Sequence, residues 1–225
     1  MKESFVFTKS VRQLFDGLNH ISHKNKGIER MLLVIGEPGL GKTEAALYYA
    51  AHNPGTVFIR TYELMSGPWL CQTILSELGQ APFYRSKQNL ETIVEILKLQ
   101  KQILIFDEID RFARRPEILE TLRDIHDAAH NPIVFIGEQS ADKALAHDRR
   151  LYRRFVETVY FQKLDIDGVR DFLIEMSDIR YSEDAIEKIA SNTQGKISEI
   201  MLGIAHAERA AHASGAKAVS AKDLK

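Results

Sequence analysis

The sequence predicts an α/β fold in which a five-stranded parallel sheet is flanked by helices and followed by a small, all-helical lid at the carboxyl end. Apolar, strand-like runs alternate with amphipathic helical patterns, which is typical of a parallel sheet covered by helices on both faces. Strand patterns then stop, so we expect residues 1–163 to form the α/β core and residues 164–225 the lid. A glycine-rich loop follows the first strand, at the position where α/β sheets bind ligands.

Short runs of β-branched and apolar residues predict the strands. These are residues 31–35, 56–60, 102–106, 133–137 and 156–161. Apolar residues at helical spacing predict the helices. These cover residues 5–18, 44–51, 70–78, 90–97 with Asn89 as N-cap, 118–129, 167–176, 182–192 and 196–213, with a further helix starting at Ser220. The charges of Lys24, Lys26 and Arg30 are interpreted as those of a solvated loop before the first strand.

Composition and charge fit a globular protein with no overall preference for nucleic acid. The net charge is −1, so DNA binding could come only from local basic patches. The single cysteine, Cys71, excludes an internal disulfide, fits a reducing cytosol and is expected to be buried. The chain shows neither a signal-peptide core nor an apolar run of membrane-spanning length. We therefore expect a cytoplasmic protein with no membrane association.

Residues 36–43, GEPGLGKT, match the phosphate-binding pattern G-x-x-x-x-G-K-[ST] between a strand and a helix. The loop N–H groups and the N-terminus of the following helix would bind a polyphosphate. The alternative is a glycine-rich turn before a core helix. Lys42 would reach the β- and γ-phosphates, and the Thr43 hydroxyl would bind Mg²⁺. The residues expected to bind nucleotide are Gly36, Glu37, Pro38, Gly39, Leu40, Gly41, Lys42, Thr43 and Glu44.

The third predicted strand ends in Asp107 and Glu108, which resembles the second half of an ATP site. Asp107 would hold Mg²⁺, and Glu108 would polarise the attacking water as a general base. Alternatively, the two carboxylates could cap the next helix, and Asp110 is interpreted as a cap or surface residue. His126 and His130 have metal-ligand spacing, but without a third clustered ligand we interpret them as a surface or partly packed pair.

Residues 149–154 contain four arginines, which on charge alone would be a solvated cluster. The chain resembles the AAA+ ATPase superfamily in five features. These are this arginine-rich segment, GEPGLGKT, ILIFDE, the polar-tipped strand VFIGEQS and the helical lid. Within the superfamily it is similar to the family of the phage Mu B transposition protein, in GLGKTEAALYY, DEID, IGEQS, RRLYRRF and TQGKISEIM. This resemblance covers about residues 5–220.

The resemblance implies an ATP-dependent protein that oligomerises on double-stranded DNA, captures target DNA with little sequence preference and activates a transposase. The homo-oligomer would be a helical filament or ring formed in the presence of ATP. Lys42, Thr43 and Asp107 would bind ATP and Mg²⁺, and Glu108 would be the catalytic base. Arg154 would be the arginine finger that reaches the γ-phosphate in a neighbouring subunit, with Arg153 as its rival.

Three departures from the family pattern lead us to expect a weak ATPase that DNA or a partner stimulates. The polar sensor position at the tip of the fourth strand holds Glu138, for which Gln139 or Ser140 would have to substitute. The position of the lid arginine holds Ser198, with Lys196 nearby. The sequence before residue 31 leaves no room for the helix-turn-helix domain with which the Mu B protein begins.

The DNA contacts follow only from positive charge, because phosphate binding requires little more than charge and reach. The candidates are Arg85, Lys87, Arg111, Arg114 and Arg115, with Lys24 and Lys26 as further possibilities. Three other functions stay open. The chain could be an AAA+ ATPase of the replication initiator, helicase-loader or clamp-loader type, a small-molecule kinase, or a nucleotide switch without turnover.

Overall fold

A computed structural model describes residues 2, 4–23, 29–112 and 115–224. The chain divides into two compact units. The sheet unit consists of Gln13–Gly36 and Lys42–Tyr160, and the helical unit of Met1–Arg12, Glu37–Gly41 and Phe161–Lys225. The glycine-rich loop, residues 36–43, therefore has its central residues in the helical unit and its two ends in the sheet unit.

The sheet unit contains one parallel sheet of five strands, in the order β2-β3-β4-β1-β5. The strands are β1 Met31–Ile35, β2 Thr56–Arg60, β3 Ile103–Asp107, β4 Ile133–Gly137 and β5 Phe155–Tyr160. Every residue of β1, β3 and β4 is buried, as expected for apolar strands covered on both faces. This confirms the predicted sheet and places β1 between β4 and β5.

Seven helices accompany the sheet in the described part of the chain up to residue 160. They are α1 Lys9–His23, α2 Lys42–His52, α3 Gly67–Glu77, α4 Ser86–Leu99, α5 Pro116–Ala129, α6 Gln139–Leu145 and α7 Arg149–Tyr152. A 3₁₀ turn, Ile109–Arg111, follows β3. Apolar residues of α3, α4 and α5 pack with those of the strands in the largest core of the unit, which includes Cys71.

Two local predictions are wrong. Asn89 is not an N-cap, because α4 begins at Ser86; its buried amide instead accepts a hydrogen bond from the Phe83 N–H at 2.7 Å and donates to the Phe83 carbonyl at 3.1 Å. Arg30 is not solvated but 5% exposed. Its guanidinium donates to the carbonyl of Ile21 at 2.7 Å and to that of His130 at 3.2 Å, so it satisfies groups at the ends of α1 and α5.

The helical unit is built on α8 Ile166–Met176, α9 Glu183–Thr193 and α10 Ile197–Ser214, whose apolar faces share one core. The Asp165 side chain accepts the Gly168 N–H at 2.8 Å and caps α8. The structure adds a two-residue parallel pair, β6 Arg180–Tyr181 with β7 Ala218–Val219. The helix expected from Ser220 is wrong, because Asp223 accepts the Ser220 N–H at 2.8 Å within a turn.

Within the described residues, none of the helices combines the length and apolar character needed to cross a lipid bilayer.

Candidate nucleotide-binding site

The candidate site lies where the carboxyl ends of the central strands meet. All five strands are parallel, so β1, β3 and β4 end at the same edge of the sheet. The chain leaves β1 into the glycine-rich loop, leaves β3 at Asp107 and leaves β4 at Gly137. The Gly36 N–H donates to the Gly137 carbonyl at 3.3 Å, which ties the start of the loop to β4.

The loop requires glycine at two positions where the backbone is left-handed. Gly39 has φ +81° and Gly41 has φ +84°, values that residues with a Cβ adopt only at a cost. Directly after the loop, α2 begins at Lys42, so its unpaired N-terminal N–H groups follow the loop in the chain. This is the local structure that the sequence pattern requires for phosphate binding.

The Lys42 ammonium lies within the sheet unit, where its Nζ donates to the Gly36 carbonyl at 2.7 Å. Burial lowers the pKa of Lys42, whereas the negative charges of Glu138, Asp107 and Asp110 oppose this shift. The cation is thus held close to three carboxylates at the edge of the sheet, where a polyphosphate would be a stronger partner than the loop carbonyl.

Thr43 and Asp107 form the pair expected to bind Mg²⁺. The Thr43 Oγ1 donates to Asp107 Oδ2 at 2.8 Å, so the two oxygens that would bind the ion are already adjacent. Asp107 is only 3% exposed. Burial raises its pKa, although the hydrogen bond from Thr43 lowers it in part. A hydroxyl and a buried carboxylate are hard oxygen ligands, so the residues present fit Mg²⁺.

Glu108 is held by two arginines, and we call Glu108, Arg60 and Arg111 the Glu108 cluster. Arg60 Nη2 donates to Oε1, and Arg111 Nε donates to Oε2 at 2.6 Å. Burial opposes ionisation of Glu108, but hydrogen bonds from Arg60 and Arg111 outweigh it and hold its pKa below the usual value. The Glu108 backbone is left-handed, with φ 59°, a conformation that residues other than glycine seldom adopt.

Sequence reasoning missed Arg60 and gave Arg111 a different role. Arg60 is the last residue of β2 and pairs in register with Asp107 of β3, which places it beside the strand end that carries the site. A basic residue ending the strand next to β3 was the available signal. Arg111, a candidate for DNA binding, contacts the catalytic candidate Glu108 in the same unit.

Asp110 caps a helix, as one of its two interpretations held. Its carboxylate accepts the Glu138 N–H at 2.8 Å, the Ser140 hydroxyl at 2.7 Å and the Ala141 N–H at 3.1 Å, and so caps α6. Of the three sensor candidates, Ser140 is therefore engaged by Asp110. Glu138 and Gln139 are exposed beyond the end of β4.

In the helical unit, the loop residue Glu37 binds two lysines. Its Oε2 lies 3.2 Å from the Lys163 Nζ and 3.4 Å from the Lys196 Nζ. The hydrogen bond from Lys163 is the largest cause that lowers the pKa of Glu37. The Ser198 N–H donates to the Gly39 carbonyl at 3.0 Å. Lys196 and Ser198, the two residues considered in place of the lid arginine, thus both contact loop residues that belong to this unit.

Arg154 lies at the amino ends of the strands, whereas the loop lies at their carboxyl ends. It directly precedes β5, and the Met31 N–H at the start of β1 donates to its carbonyl at 3.2 Å. The length of β1 separates this edge from the loop by on the order of 15 Å. The Arg154 guanidinium donates to both oxygens of Asp127, at 3.1 and 2.9 Å, whereas Arg153 is exposed.

His126 and His130 do not form a pair. His126 is buried, and its ring nitrogens face the Asn131 carbonyl at 2.9 Å and Glu29 Oε2 at 3.2 Å. The exposed His130 ends α5 with a left-handed backbone. Treating both as surface or partly packed was thus wrong for His126, which lies with Glu29 and Asp127 in a group close enough to bind a metal ion.

The DNA-binding candidates that the structure describes differ in their contacts. Arg115 follows Arg111 by four residues and donates to the Met65 carbonyl at 2.7 Å. Arg85 and Lys87 are exposed at the start of α4, and the Lys87 Nζ lies 3.6 Å from Glu91. The remaining candidates, Arg114, Lys24 and Lys26, lie outside the described residues.

Comparison with known proteins matches residues 26–145 to the protein family described as AAA domain. The chain is 30% identical over 135 residues to the "ATP-dependent target DNA activator B" of Escherichia phage D108 and, equally, of phage Mu, which covers 59% of this chain and 41% of each relative. It is 26% identical over 171 residues to the "Replication factor C large subunit" of Methanocorpusculum labreanum, covering 74% of this chain and 32% of that protein. The chain thus spans about two fifths or less of the length of these relatives.

Among solved structures, the fold is similar to that of Cdc6p from Pyrobaculum aerophilum, with a TM-score of 0.73 and 20% identity over 99% of this chain and 68% of that one. The ORC1 protein of Aeropyrum pernix in complex with DNA gives a TM-score of 0.68 and 15% identity over 97% and 64%. The RuvB motor of Thermotoga maritima gives 0.66 and 16% over 98% and 68%. At these identities the likeness shows a shared fold.

Proposed function

Because the chain belongs to the AAA domain family, we propose that it hydrolyses ATP while assembled on double-stranded DNA, and that it serves DNA transposition as a target-DNA activator. The observation that carries this proposal is the convergence of Lys42, Thr43, Asp107 and Glu108 at one edge of the sheet. The similarity to the phage activators supports the assignment to transposition.

Each residue at the sheet edge has a separate task in hydrolysis. Lys42 exchanges the Gly36 carbonyl for phosphate oxygens, which are its stronger partner. Thr43 and Asp107 supply the oxygens that hold Mg²⁺. When bound, Mg²⁺ neutralises negative charge on the β- and γ-phosphates. Glu108 orients the attacking water and accepts its proton.

The Glu108 cluster explains why hydrolysis would be slow without DNA. Both carboxylate oxygens of Glu108 already accept hydrogen bonds from arginines. A carboxylate held in this way is a weaker base, and each of its oxygens has fewer lone pairs left to accept a hydrogen bond from water. We therefore expect hydrolysis to be faster when Arg60 or Arg111 releases one oxygen.

DNA phosphates are suitable competitors for these arginines. The side chains of Arg60 and Arg111 are 58% and 39% exposed, so a phosphate can approach them from solvent. Arg115 lies on the same segment as Arg111, and its contact with the Met65 carbonyl joins this segment to the chain that follows β2. DNA bound here would stimulate hydrolysis by transferring an arginine from Glu108 to a phosphate.

Arg154 would complete the site of a neighbouring subunit. It lies at the edge of the sheet opposite its own loop, too far away to serve the nucleotide of its own subunit. An arginine that acts in a neighbour requires a head-to-tail assembly, which closes as a ring or continues as a helical filament. ATP would thus hold subunits together, and hydrolysis would release them.

The test is an ATPase assay with and without duplex DNA, combined with electron microscopy. We expect slow hydrolysis that DNA stimulates, and ATP-dependent assemblies on DNA. Lys42→Ala should abolish nucleotide binding, whereas Glu108→Gln should retain ATP and stabilise the assemblies. Monomers alone on DNA with ATP would contradict the proposal.

A second candidate is an AAA+ ATPase of DNA replication. It is favoured by the similarity to the replication factor C large subunit, which covers more of this chain than the phage relatives do. The two proposals differ in the partner. Stimulation of strand transfer by a transposase supports the first, and loading of a replicative helicase or clamp supports the second.

A further inference from the structure

The Arg154 guanidinium is held in a defined orientation within its own subunit. Nε and Nη2 donate to the two oxygens of Asp127, at 3.1 and 2.9 Å, and Nη1 donates to the Arg150 carbonyl at 3.3 Å. Two parallel hydrogen bonds to one carboxylate fix the plane of a guanidinium as well as its position. Burial opposes ionisation of Asp127, but Arg154 outweighs it and lowers the pKa of Asp127.

These three hydrogen bonds leave the outer edge of the guanidinium available. Asp127 occupies the edge formed by Nε and Nη2, and the Nη groups each carry two N–H donors, of which these hydrogen bonds use one. The second N–H groups of Nη1 and Nη2 form the other edge, which suits two oxygens of a phosphate. Arg154 can therefore bind Asp127 and a phosphate at the same time.

A second carboxylate, Glu29, supports the same arginine. Glu29 Oε1 lies 3.6 Å from the Arg154 Nε, and Oε2 lies 3.2 Å from the Nε2 of the buried His126. The other ring nitrogen of His126 contacts the Asn131 carbonyl, which can only accept, so that nitrogen carries the hydrogen. Glu29, His126 and Asp127 are close enough together to bind a metal ion, but Arg154 already supplies the positive charge between the carboxylates.

We propose that Asp127 is a positioning residue for hydrolysis in the neighbouring subunit, because it holds Arg154 with its free edge towards that subunit's γ-phosphate. This inference rests on the proposed role of Arg154 in a neighbour. A free arginine side chain samples many rotamers, and fixing it at the moment of reaction costs entropy. Asp127 fixes the side chain beforehand, so its loss should slow the chemical step of the neighbour without weakening ATP binding.

The experiment uses donor subunits that carry Glu108→Gln, which bind ATP and assemble but do not hydrolyse. They are mixed in excess with wild-type subunits on duplex DNA, so that all hydrolysis occurs in wild-type sites with donor neighbours. Five donors are compared: Glu108→Gln alone, and Glu108→Gln combined with Asp127→Asn, Asp127→Glu, Asp124→Asn or Arg154→Ala. Asp124 is the matched control, since it lies on α5 as well, is exposed and contacts Arg123 instead.

We expect the Asp127→Asn donor to lower kcat of the wild-type subunits by about tenfold with KM for ATP unchanged. The Asp124→Asn donor should have no effect, and Asp127→Glu should restore part of the rate. If the Arg154→Ala donor lowers kcat and the Asp127→Asn donor does not, the positioning role is refuted while the arginine finger stands. If the Arg154→Ala donor has no effect, the proposed role of Arg154 itself fails. An Asp127→Asn donor that no longer enters the assembly would also overturn the inference.

Discussion

Replacing Arg111 tests whether the Glu108 cluster restrains Glu108, the proposed catalytic base. Arg111→Gln removes the positive charge that holds Oε2 of Glu108 and leaves Arg60 on Oε1. The Arg111 and Glu108 side chains are 39% and 28% exposed, so solvent screens the pair and its strength is that of a surface ion pair, about 1 kcal/mol. Without DNA, the population of Glu108 with a free oxygen, and with it the ATPase rate, should rise by about fivefold.

The assay is steady-state ATP hydrolysis without DNA and then with saturating duplex DNA. The variant should be faster without DNA and stimulated less by DNA, because one of the restraints is already absent. Arg115→Gln is the control, since Arg115 lies on the same segment but contacts Met65 and Glu117. Arg111 also lowers the pKa of Glu108, so the acid limb of the pH profile should move to higher pH in Arg111→Gln. A basal rate that falls, or that rises equally in Arg115→Gln, would refute the restraint.

Three further substitutions test the site and the fold. Burial raises the pKa of Asp107, so the folded state binds this proton more tightly than the unfolded state does. The resulting stabilisation of the folded state is complete at low pH and is lost as the pH rises through the raised pKa. Asp107→Asn should therefore raise the melting temperature without nucleotide at neutral pH and abolish further stabilisation by ATP and Mg²⁺; an unchanged response to ATP would contradict its role. Gly39→Ala should weaken ATP binding by about tenfold, measured with a fluorescent analogue, because φ is +81° and the new Cβ would meet the Ser198 side chain. Arg30→Ala should lower the free energy of unfolding in urea by about 2 kcal/mol, because it removes the donor that pairs the carbonyls of Ile21 and His130, and a loss within error would contradict this expectation.

The sheet, its bounding helices and the placement of the glycine-rich loop and Asp107 were predictable because their signals are local. The apolar run before GEPGLGKT and the one before Asp107 each specify a strand and its end. Parallel alternation then requires that both ends meet at one edge of the sheet. For the same reason Thr43 and Asp107, 64 residues apart, could be expected together.

The partners of the charged residues could not be predicted, because the fold selects them from distant parts of the chain. Glu108 meets Arg60 across 48 residues, Arg154 meets Asp127 across 27, and His126 meets Glu29 across 97. A surface charge has many available partners, and spacing does not distinguish among them. The prediction that Arg30 is solvated was wrong for this reason, since its burial depends on carbonyls at the ends of two helices.

The proposed mechanism of hydrolysis needs Glu108 of one subunit and Arg154 of another. The most direct test is the ATPase rate on duplex DNA of an equimolar mixture of Glu108→Gln and Arg154→Ala subunits, each of which should be inactive alone. Random assembly places an intact Glu108 beside an intact Arg154 in about a quarter of the sites. We therefore expect the mixture to recover about a quarter of the wild-type rate. A mixture no more active than its separate components would contradict it.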